Sequence, residues 1–370
     1  MATSMIAAQI CGTVIDQAEA SVMVLAESQN ERFPYRIQAF GLEIEVHPNV
    51  FSPKHFHGWE VFTRHFPRVV GERVLEIGSG TGITAVYLAK RGAREVVAVD
   101  INPQAVENTR NNARLNRVTN LEARVSDVFF GIDEAEKFDA IYWNLPFIYM
   151  PPEYRYRNIL ERGLFDPGYM YTERFLAEAS AHLAPGGRIL VGLADFADLD
   201  RFMVLATKYR YRRRLVASEP SVEVNPVDFR LYELRPFTKV FYAMPFTGRS
   251  HGEIVASRAA LHRIAEKRDL DLLEQFVGVE EEDKFESHGY LPLFIAKKDH
   301  DLLAQADLVV VDYSGHSIGR DCETVIAKEV MDKRIIAVVP DSHVANWLRS
   351  SGAASSCRVA PSASLMVAPW

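Results

Sequence analysis

The chain has 370 residues, 48% hydrophobic and 25% charged, with a formal net charge of −7. That length allows two domains with full cores, and the acidic balance excludes a general nucleic-acid binder, which needs a basic footprint. Cys11, Cys322 and Cys357 lie far apart with no C-x-x-C pair, so neither a disulfide framework nor a metal site is expected.

Residues 1–30 read as one or two helices. The apolar start has no basic n-region and is interrupted by Asp16 and Glu19, as in an amphipathic helix rather than a signal peptide. No run of about 18 apolar residues occurs, so no membrane span is expected and the expected compartment is the cytoplasm. Tyr35–His47 alternates loosely around Gly41, the pattern of a hairpin. Val50–Gly58 is aromatic and polar at once, a loop suited to capping a core.

Val74–Asp100, VLEIGSGTGITAVYLAKRGAREVVAVD, reads as strand, glycine-rich turn, helix and strand. The turn glycines let a backbone approach a ligand closely. In a parallel sheet Asp100, at the end of the second strand, falls beside that turn, where a carboxylate can accept from both hydroxyls of a ribose. A helix over Ile101–Asn116 and a strand Leu121–Val125 follow, then Ser126-Asp127. A fourth strand, Phe138–Trp143, ends in Asn144-Leu145-Pro146-Phe147. Met150–Phe165 is a Tyr- and Arg-rich insertion, in which Tyr154, Arg155, Tyr156 and Arg157 are candidates for holding an anionic or aromatic substrate. A helix through Leu183, Pro185-Gly186-Gly187 and a strand Arg188–Leu193 come next. Lys208–Arg214, KYRYRRR, reads as a solvated helix end. Leu231–Leu234 is the last strand before a boundary at Arg235-Pro236.

Beyond it a second α/β domain begins. Its elements are a strand Lys239–Phe246, a loop Thr247–Glu253, a helix Ile254–Arg268, a short helix and strand within Lys298–Val311, and a loop Asp312–Glu323. A helix Thr324–Met331 and a strand Arg334–Val339 close it, ahead of a Ser/Ala-rich tail.

The order E-I-G-S-G-T-G, with its following acid, resembles motif I of class I S-adenosylmethionine-dependent methyltransferases, over roughly Phe51 to Pro236. It differs from the G-x-G-x-x-G of dinucleotide enzymes. The resemblance implies that Glu76, Gly78, Ser79, Gly80, Gly82, Asp100, Asp127 and Asn144 hold S-adenosylmethionine, with Asp127 at the adenine amino group. It also implies that Val50–Gly58 closes over the methionine end. Asn144-Leu145-Pro146-Phe147 resembles the (N/D)-P-P-(Y/F) motif of enzymes that methylate planar nitrogens. It implies catalytic roles for Asn144, Pro146 and Phe147: accepting N–H bonds to orient the nitrogen, and stacking on the planar substrate. Leu145 replaces the first proline and is expected to loosen the loop, leaving an oxygen acceptor as the alternative.

In the second domain, Asp299–Val310 fits D-x-x-x-L-x-x-A-D-x-V-V and Ser317–Glu323 fits S-x-G-x-x-x-E. These resemble the nucleoside 2-deoxyribosyltransferase superfamily, especially its nucleotide N-glycoside hydrolases. The resemblance implies Glu323 as the carboxylate under an anomeric carbon and Asp299 as the second acid. Tyr242, Gly248, Ser317, Gly319 and Arg320 would hold the substrate and its 5′-phosphate. An ordinary flavodoxin-like domain with helix caps at Asp321 and Glu323 is the alternative.

The expected fold is α/β: a Rossmann-like, seven-stranded methyltransferase domain (51–236) after N-terminal helices and a hairpin (1–50). A smaller doubly wound, flavodoxin-like domain (237–348) and a tail (349–370) follow. The expected function is bifunctional, methylation of a planar amino or oxo heteroaromatic and N-glycosidic cleavage of a nucleoside monophosphate. The expected partners are a small nucleotide or nucleobase and a second copy bound through the C-terminal domain. A protein glutamine-amide methyltransferase with a non-catalytic, nucleotide-binding regulatory domain is the alternative.

Overall fold

The computed structural model describes residues 17–220, 227–243, 250–273, 299–312, 318–338, 358–359 and 365–367. Its chain divides into two units, Met1–Pro236 and Phe237–Trp370.

In the first unit a helix, α1 (17–28), precedes the hairpin β1 (Tyr35–Ala39) and β2 (Leu42–Val46). Phe40 and Gly41 turn the hairpin with φ of 51° and 73°, the left-handed pair that matches the twist of two strands. Leu42, Ile44 and Val46 are buried and Glu43 and Glu45 less so, the alternation that a one-sided strand requires.

The helices α2 (Gly58–Arg64), α3 (Ile83–Lys90), α4 (Pro103–Leu115), α5 (Met170–Glu178) and α6 (Leu199–Lys208) accompany a mixed sheet. Its strands are β3 (Arg73–Ile77), β4 (Glu95–Asp100), β5 (Leu121–Val125), β6 (Phe138–Asn144), β9 (Leu183–Ala194), β10 (Tyr211–Pro220) and β11 (Asp228–Pro236), in the order β10-β11-β9-β6-β3-β4-β5. Two short strands, β7 (Ile148–Met150) and β8 (Phe165–Pro167), pair separately. From β9 to β5 the strands are parallel, whereas β11 runs antiparallel to β9 and β10 antiparallel to β11. Strands buried on both faces are apolar throughout, which is why Val96–Val99 is continuous aliphatic sequence. The chain steps from β3 outward to β4 and β5, then crosses back to β6 on the other side of β3. Such a reversal opens a crevice at the carboxyl ends of the strands.

Asn108, Asn112 and Asn116 lie one turn apart on or just after α4 and dock the hairpin. Their Oδ1 atoms accept the N–H groups of His47, Glu45 and Glu43 at 3.0, 2.8 and 3.2 Å. Their amide nitrogens donate to the carbonyls of Glu45, Glu45 and Glu43 at 2.8, 2.8 and 2.7 Å. Three side chains thus satisfy one edge of β2 as a neighbouring strand would. Asn112 also donates to the Thr81 carbonyl at 2.9 Å, tying the hairpin to the glycine turn.

Lys208–Arg214 is not a helix end. Only Lys208 closes α6, while Arg212, Arg213 and Arg214 are exposed on β10, an edge strand whose charges discourage pairing with another chain.

In the second unit the elements are β12 (Thr238–Ala243), α7 (His251–Arg268), β13 (Leu270–Leu273), α8 (299–305), β14 (Leu308–Asp312), α9 (Ile318–Val325), β15 (Arg334–Val338), β16 (Arg358–Val359) and β17 (Leu365–Val367). The order is β13-β12-β14-β15-β17-β16, with the first four parallel and β17 antiparallel to both its neighbours. Phe241, Ala243, Leu303, Val309 and Val311 form its core. Two departures from expectation matter. The helix expected from Thr324 begins at Ile318 and widens into a π turn over Ile326–Val330. The tail contributes β16 and β17 to the sheet. Among the described residues no helix is long and apolar enough to cross a membrane.

Candidate active site

β3 ends at Ile77, and Gly78, Gly80 and Gly82 turn the chain with φ of 66°, 55° and 76°. Close approach as well as conformation excludes a side chain at two of them. A Cβ on Gly82 would lie 2.6 Å from the Thr109 methyl, and one on Gly78 would lie 3.0 Å from Trp143 Nε1. The Asp100 carboxylate at the end of β4 accepts the Gly80 N–H at 2.9 Å through Oδ2 and the Asn102 N–H at 2.9 Å through Oδ1. Burial raises the Asp100 pKa and the N–H groups of Asn102, Gly80 and Ile101 oppose that rise.

The turn opens on a cavity of about 650 Å³, within the range of small-ligand sites, lined by Glu76, Gly78–Thr81, Asp100, Asp127 and Asn144 among others. Phe51 and Phe56 stack with centroids 4.2 Å apart at its wall, so the Val50–Gly58 segment borders the cavity. Ser79 is held by Thr109, Oγ to Oγ1 at 3.1 Å. Asp127 faces the cavity and pairs with the Arg174 guanidinium.

One face of the sheet carries three side chains with an unmet polar atom. Glu76 is 4% exposed and Tyr142 1%. Glu76 Oε2, the Tyr142 hydroxyl and Asn144 Oδ1 are buried without a hydrogen-bond partner, and all three residues line the cavity. Burial drives the Glu76 pKa well above the carboxylate range; an Ala85 N–H opposes the shift and the Asp100 charge adds to it. Buried polar atoms are ordinarily paired, so this wall suits a ligand that brings both hydrogen-bond donors and an acceptor.

The loop after β6 is anchored rather than loosened by Leu145. That side chain is 2% exposed in the main core, and its N–H donates to the Gly192 carbonyl at 3.3 Å. Tyr169 fixes the far end: its hydroxyl donates to the Phe147 carbonyl at 2.8 Å and accepts the Asp198 N–H at 2.9 Å. Pro146 and Phe147 line the cavity, with Phe147 edge-on to Phe196 at 5.3 Å.

The Tyr/Arg insertion meets the cavity differently from expectation. Tyr154 donates to Glu161 Oε2 at 2.8 Å and Tyr156 to the Phe165 carbonyl at 3.0 Å. Arg157 pairs with Glu161, and the Arg155 side chain donates to carbonyls of its own loop. These four organise the insertion, whereas Ile159, Leu160, Arg162 and Leu164 reach the cavity. Arg162 donates to the Tyr171 hydroxyl at 3.1 Å and lies over the Tyr156 ring at 4.9 Å.

In the second unit Tyr242 is half-buried on β12. Gly248 and Ser317 lie outside the described residues. Gly319, Arg320 and Glu323 all lie within α9 rather than on a loop, so Glu323 is in the helix body and not at its start. Arg320 lies under the surface of this helix. It is 4% exposed, donates to the Asp312 carbonyl at 2.9 Å and pairs with Asp321 at 2.7 Å. Asp299, 7% exposed, opens α8. Ser250 and Glu253 form a capping box on α7, which commits part of the 247–252 loop to a helix end.

Sequence reasoning missed Tyr142 and Arg162. A hydroxyl inside the apolar strand F-D-A-I-Y-W was the available signal for the first. The second was hidden among neighbouring arginines.

A family model, the methyltransferase small domain, matches residues 41–210. Over 158 residues the chain is 34% identical to a Methanocaldococcus jannaschii protein described as a protein N5-glutamine methyltransferase, covering 42% of this chain and 77% of that one. It is 36% identical over 194 residues to ribosomal RNA small subunit methyltransferase C of Chromohalobacter salexigens, 48% of this chain and 52% of that one. It is 32% identical over 165 residues to release factor glutamine methyltransferase of Koribacter versatilis, 41% and 58% respectively. The chain therefore spans little more than half the length of the latter two. Among solved structures, the Thermus thermophilus 16S rRNA N2 G1207 methyltransferase in complex with AdoMet and guanosine aligns at 22% identity and TM-score 0.39, over 55% of this chain and 50% of that one.

The site's own atoms fit the cofactor of such enzymes. Asp100 can receive ribose hydroxyls beside the Gly80 N–H, Asp127 lines the same cavity, and the unmet Glu76 oxygen can receive an ammonium. The glycine turn with its acid, the mixed seven-stranded sheet and 34% identity over most of the first relative agree: the chain belongs to the class I S-adenosylmethionine-dependent methyltransferases, and S-adenosylmethionine is its cofactor.

Proposed function

We propose that the first unit methylates the planar nitrogen of a primary carboxamide, the side chain of a glutamine in a protein. The observation that carries this reading is Asn144 Oδ1, buried and unpartnered on a residue that lines the cavity together with Phe147. S-adenosylmethionine, when bound, supplies a methyl group on a sulfonium. The chain's part is orientation. An amide nitrogen has its lone pair delocalised into the carbonyl, so it must be turned and held before it can act as a nucleophile. Asn144 accepts an N–H of the acceptor, and the tethers at Leu145 and Phe147 keep that oxygen in place. Phe147 and Phe196 cover the flat group and exclude water. Two of the three relatives described above are named for glutamine methylation, which supports the same reading.

A second reading is the exocyclic amine of a nucleobase, favoured by the aromatic walls Phe147, Phe196 and Phe229. Incubation with methyl-labelled cofactor and either glutamine-bearing peptides or nucleotides, followed by acid hydrolysis of the products, separates the two. A methylated side-chain amide releases labelled methylamine on hydrolysis, whereas a ring-attached methylamino group stays on its base. Label on nucleotides and none on peptides would contradict the amide reading.

The second unit we read as a flavodoxin-like domain that binds a nucleotide and regulates the first; the parallel order β13-β12-β14-β15 supports the fold. N-glycosidic cleavage by Glu323 and Asp299 is the second reading, favoured by the burial of Asp299 at the start of α8. Release of free base from nucleoside monophosphates by wild type, abolished in Glu323→Gln, would establish cleavage. Nucleotide binding without base release, together with a change in methyl transfer when that nucleotide is added, would support the regulatory reading.

A further inference from the structure

Tyr142 is the one member of the unsatisfied wall to which neither the cofactor contacts nor the reaction described above assigns a role. It pairs in register with Glu76 across β6 and β3, and it lies two residues before Asn144 on the same strand. Side chains two residues apart share a face, so Glu76, Tyr142 and Asn144 stand together on one surface of the sheet. Their unmet atoms differ in kind. Asn144 Oδ1 only accepts, and Glu76 Oε2 accepts when ionised. The Tyr142 hydroxyl carries a proton at every neutral pH, because burial and the nearby Glu76 push its pKa well above 10. With Glu76 given to the cofactor's ammonium, a substrate that satisfies the other two atoms needs an N–H donor and an acceptor close together. A primary carboxamide has two N–H groups and one carbonyl oxygen on adjacent atoms.

We propose that Tyr142 is a specificity-determining residue: its hydroxyl donates to the carbonyl oxygen of the acceptor amide while Asn144 accepts from the nitrogen. The inference rests on the amide reading of the site. It assigns the choice of substrate to a residue of the strand rather than of the loop. Withdrawing electron density toward the carbonyl oxygen makes the nitrogen a poorer nucleophile, so the hydroxyl serves recognition and not rate. Tyr142 is held by its own packing, edge-on to Phe66 at 5.2 Å, so it offers its donor in a fixed place. A site built to pair a substrate oxygen rejects a group that lacks one, because its own hydroxyl is then left buried and unpaired.

The test is Tyr142→Phe, which keeps the ring and its packing. Steady-state transfer to a glutamine-bearing peptide is compared with binding of S-adenosylhomocysteine by calorimetry. The expected result is a KM for the peptide raised roughly 10- to 100-fold, with kcat and cofactor-product affinity within a few-fold of wild type. Asn144→Ala, measured in parallel, should lower kcat instead. An unchanged peptide KM in Tyr142→Phe overturns the inference while the amide reading stands. So does a loss of S-adenosylhomocysteine affinity by the same factor, which would give the hydroxyl to the cofactor. Wild type that methylates no glutamine peptide overturns both.

Discussion

The Asp100 carboxylate accepts the Gly80 N–H at 2.9 Å, so the end of β4 both fixes the glycine turn and faces the cavity that the turn shapes. A second oxygen is held by the Asn102 N–H, which leaves the remaining lone pairs of both oxygens for ligand hydroxyls. Asp100→Ala should weaken binding of S-adenosylhomocysteine by about 1–3 kcal/mol, read by calorimetry. An unchanged affinity would remove the ribose role from this residue.

Glu76 should make cofactor binding depend on pH. Its ordinary value is 4.5, and burial raises it well above that in the folded protein. Between those two values the folded chain keeps a proton that the unfolded chain has lost. The stability this group contributes is therefore present below 4.5 and falls as pH rises through the raised value. A cationic ammonium favours the ionised form, so affinity for S-adenosylhomocysteine should rise with pH across the same window. Glu76→Gln should flatten the profile. Calorimetry at several pH values checks both statements, and a profile equally steep in the variant would contradict them.

Asn112 joins three segments, accepting from the Glu45 N–H and donating to the Glu45 and Thr81 carbonyls. Asn112→Ala leaves those groups without their partner and should cost about 1–3 kcal/mol of stability. Hydrogen exchange should show the Glu45 and His47 amides losing protection first. Uniform loss across the sheet would indicate that the hairpin is not the part released.

The elements carrying the site were legible because their signals are local. Val74–Ile77 and Glu95–Asp100 are apolar runs with an acid, and the glycines between them must turn. The strand expected over Leu121–Val125 coincides with β5 residue for residue. Interactions between distant segments were not legible. N-T-R-N-N-A-R-L-N shows asparagines at one-turn spacing, but nothing local says that a strand sixty residues earlier is their partner. Leu145 in place of proline reads as a lost constraint in the sequence, and its burial supplies a different anchor. Arg320 reads as part of a loop in the sequence; it lies in the helix Ile318–Val325, and its guanidinium donates to the Asp312 carbonyl. KYRYRRR has no apolar period to mark a strand, since an exposed edge does not need one.

The central claim is that Asn144 orients a planar nitrogen for methyl transfer. The most direct measurement is single-turnover transfer of labelled methyl from S-adenosylmethionine to a glutamine-bearing peptide, by wild type and Asn144→Ala, with S-adenosylhomocysteine affinity measured on both. Misplacing a reacting group costs on the order of 100-fold in rate, so the account predicts a loss of about that size with affinity within a few-fold. Equal rates in the two proteins would contradict it.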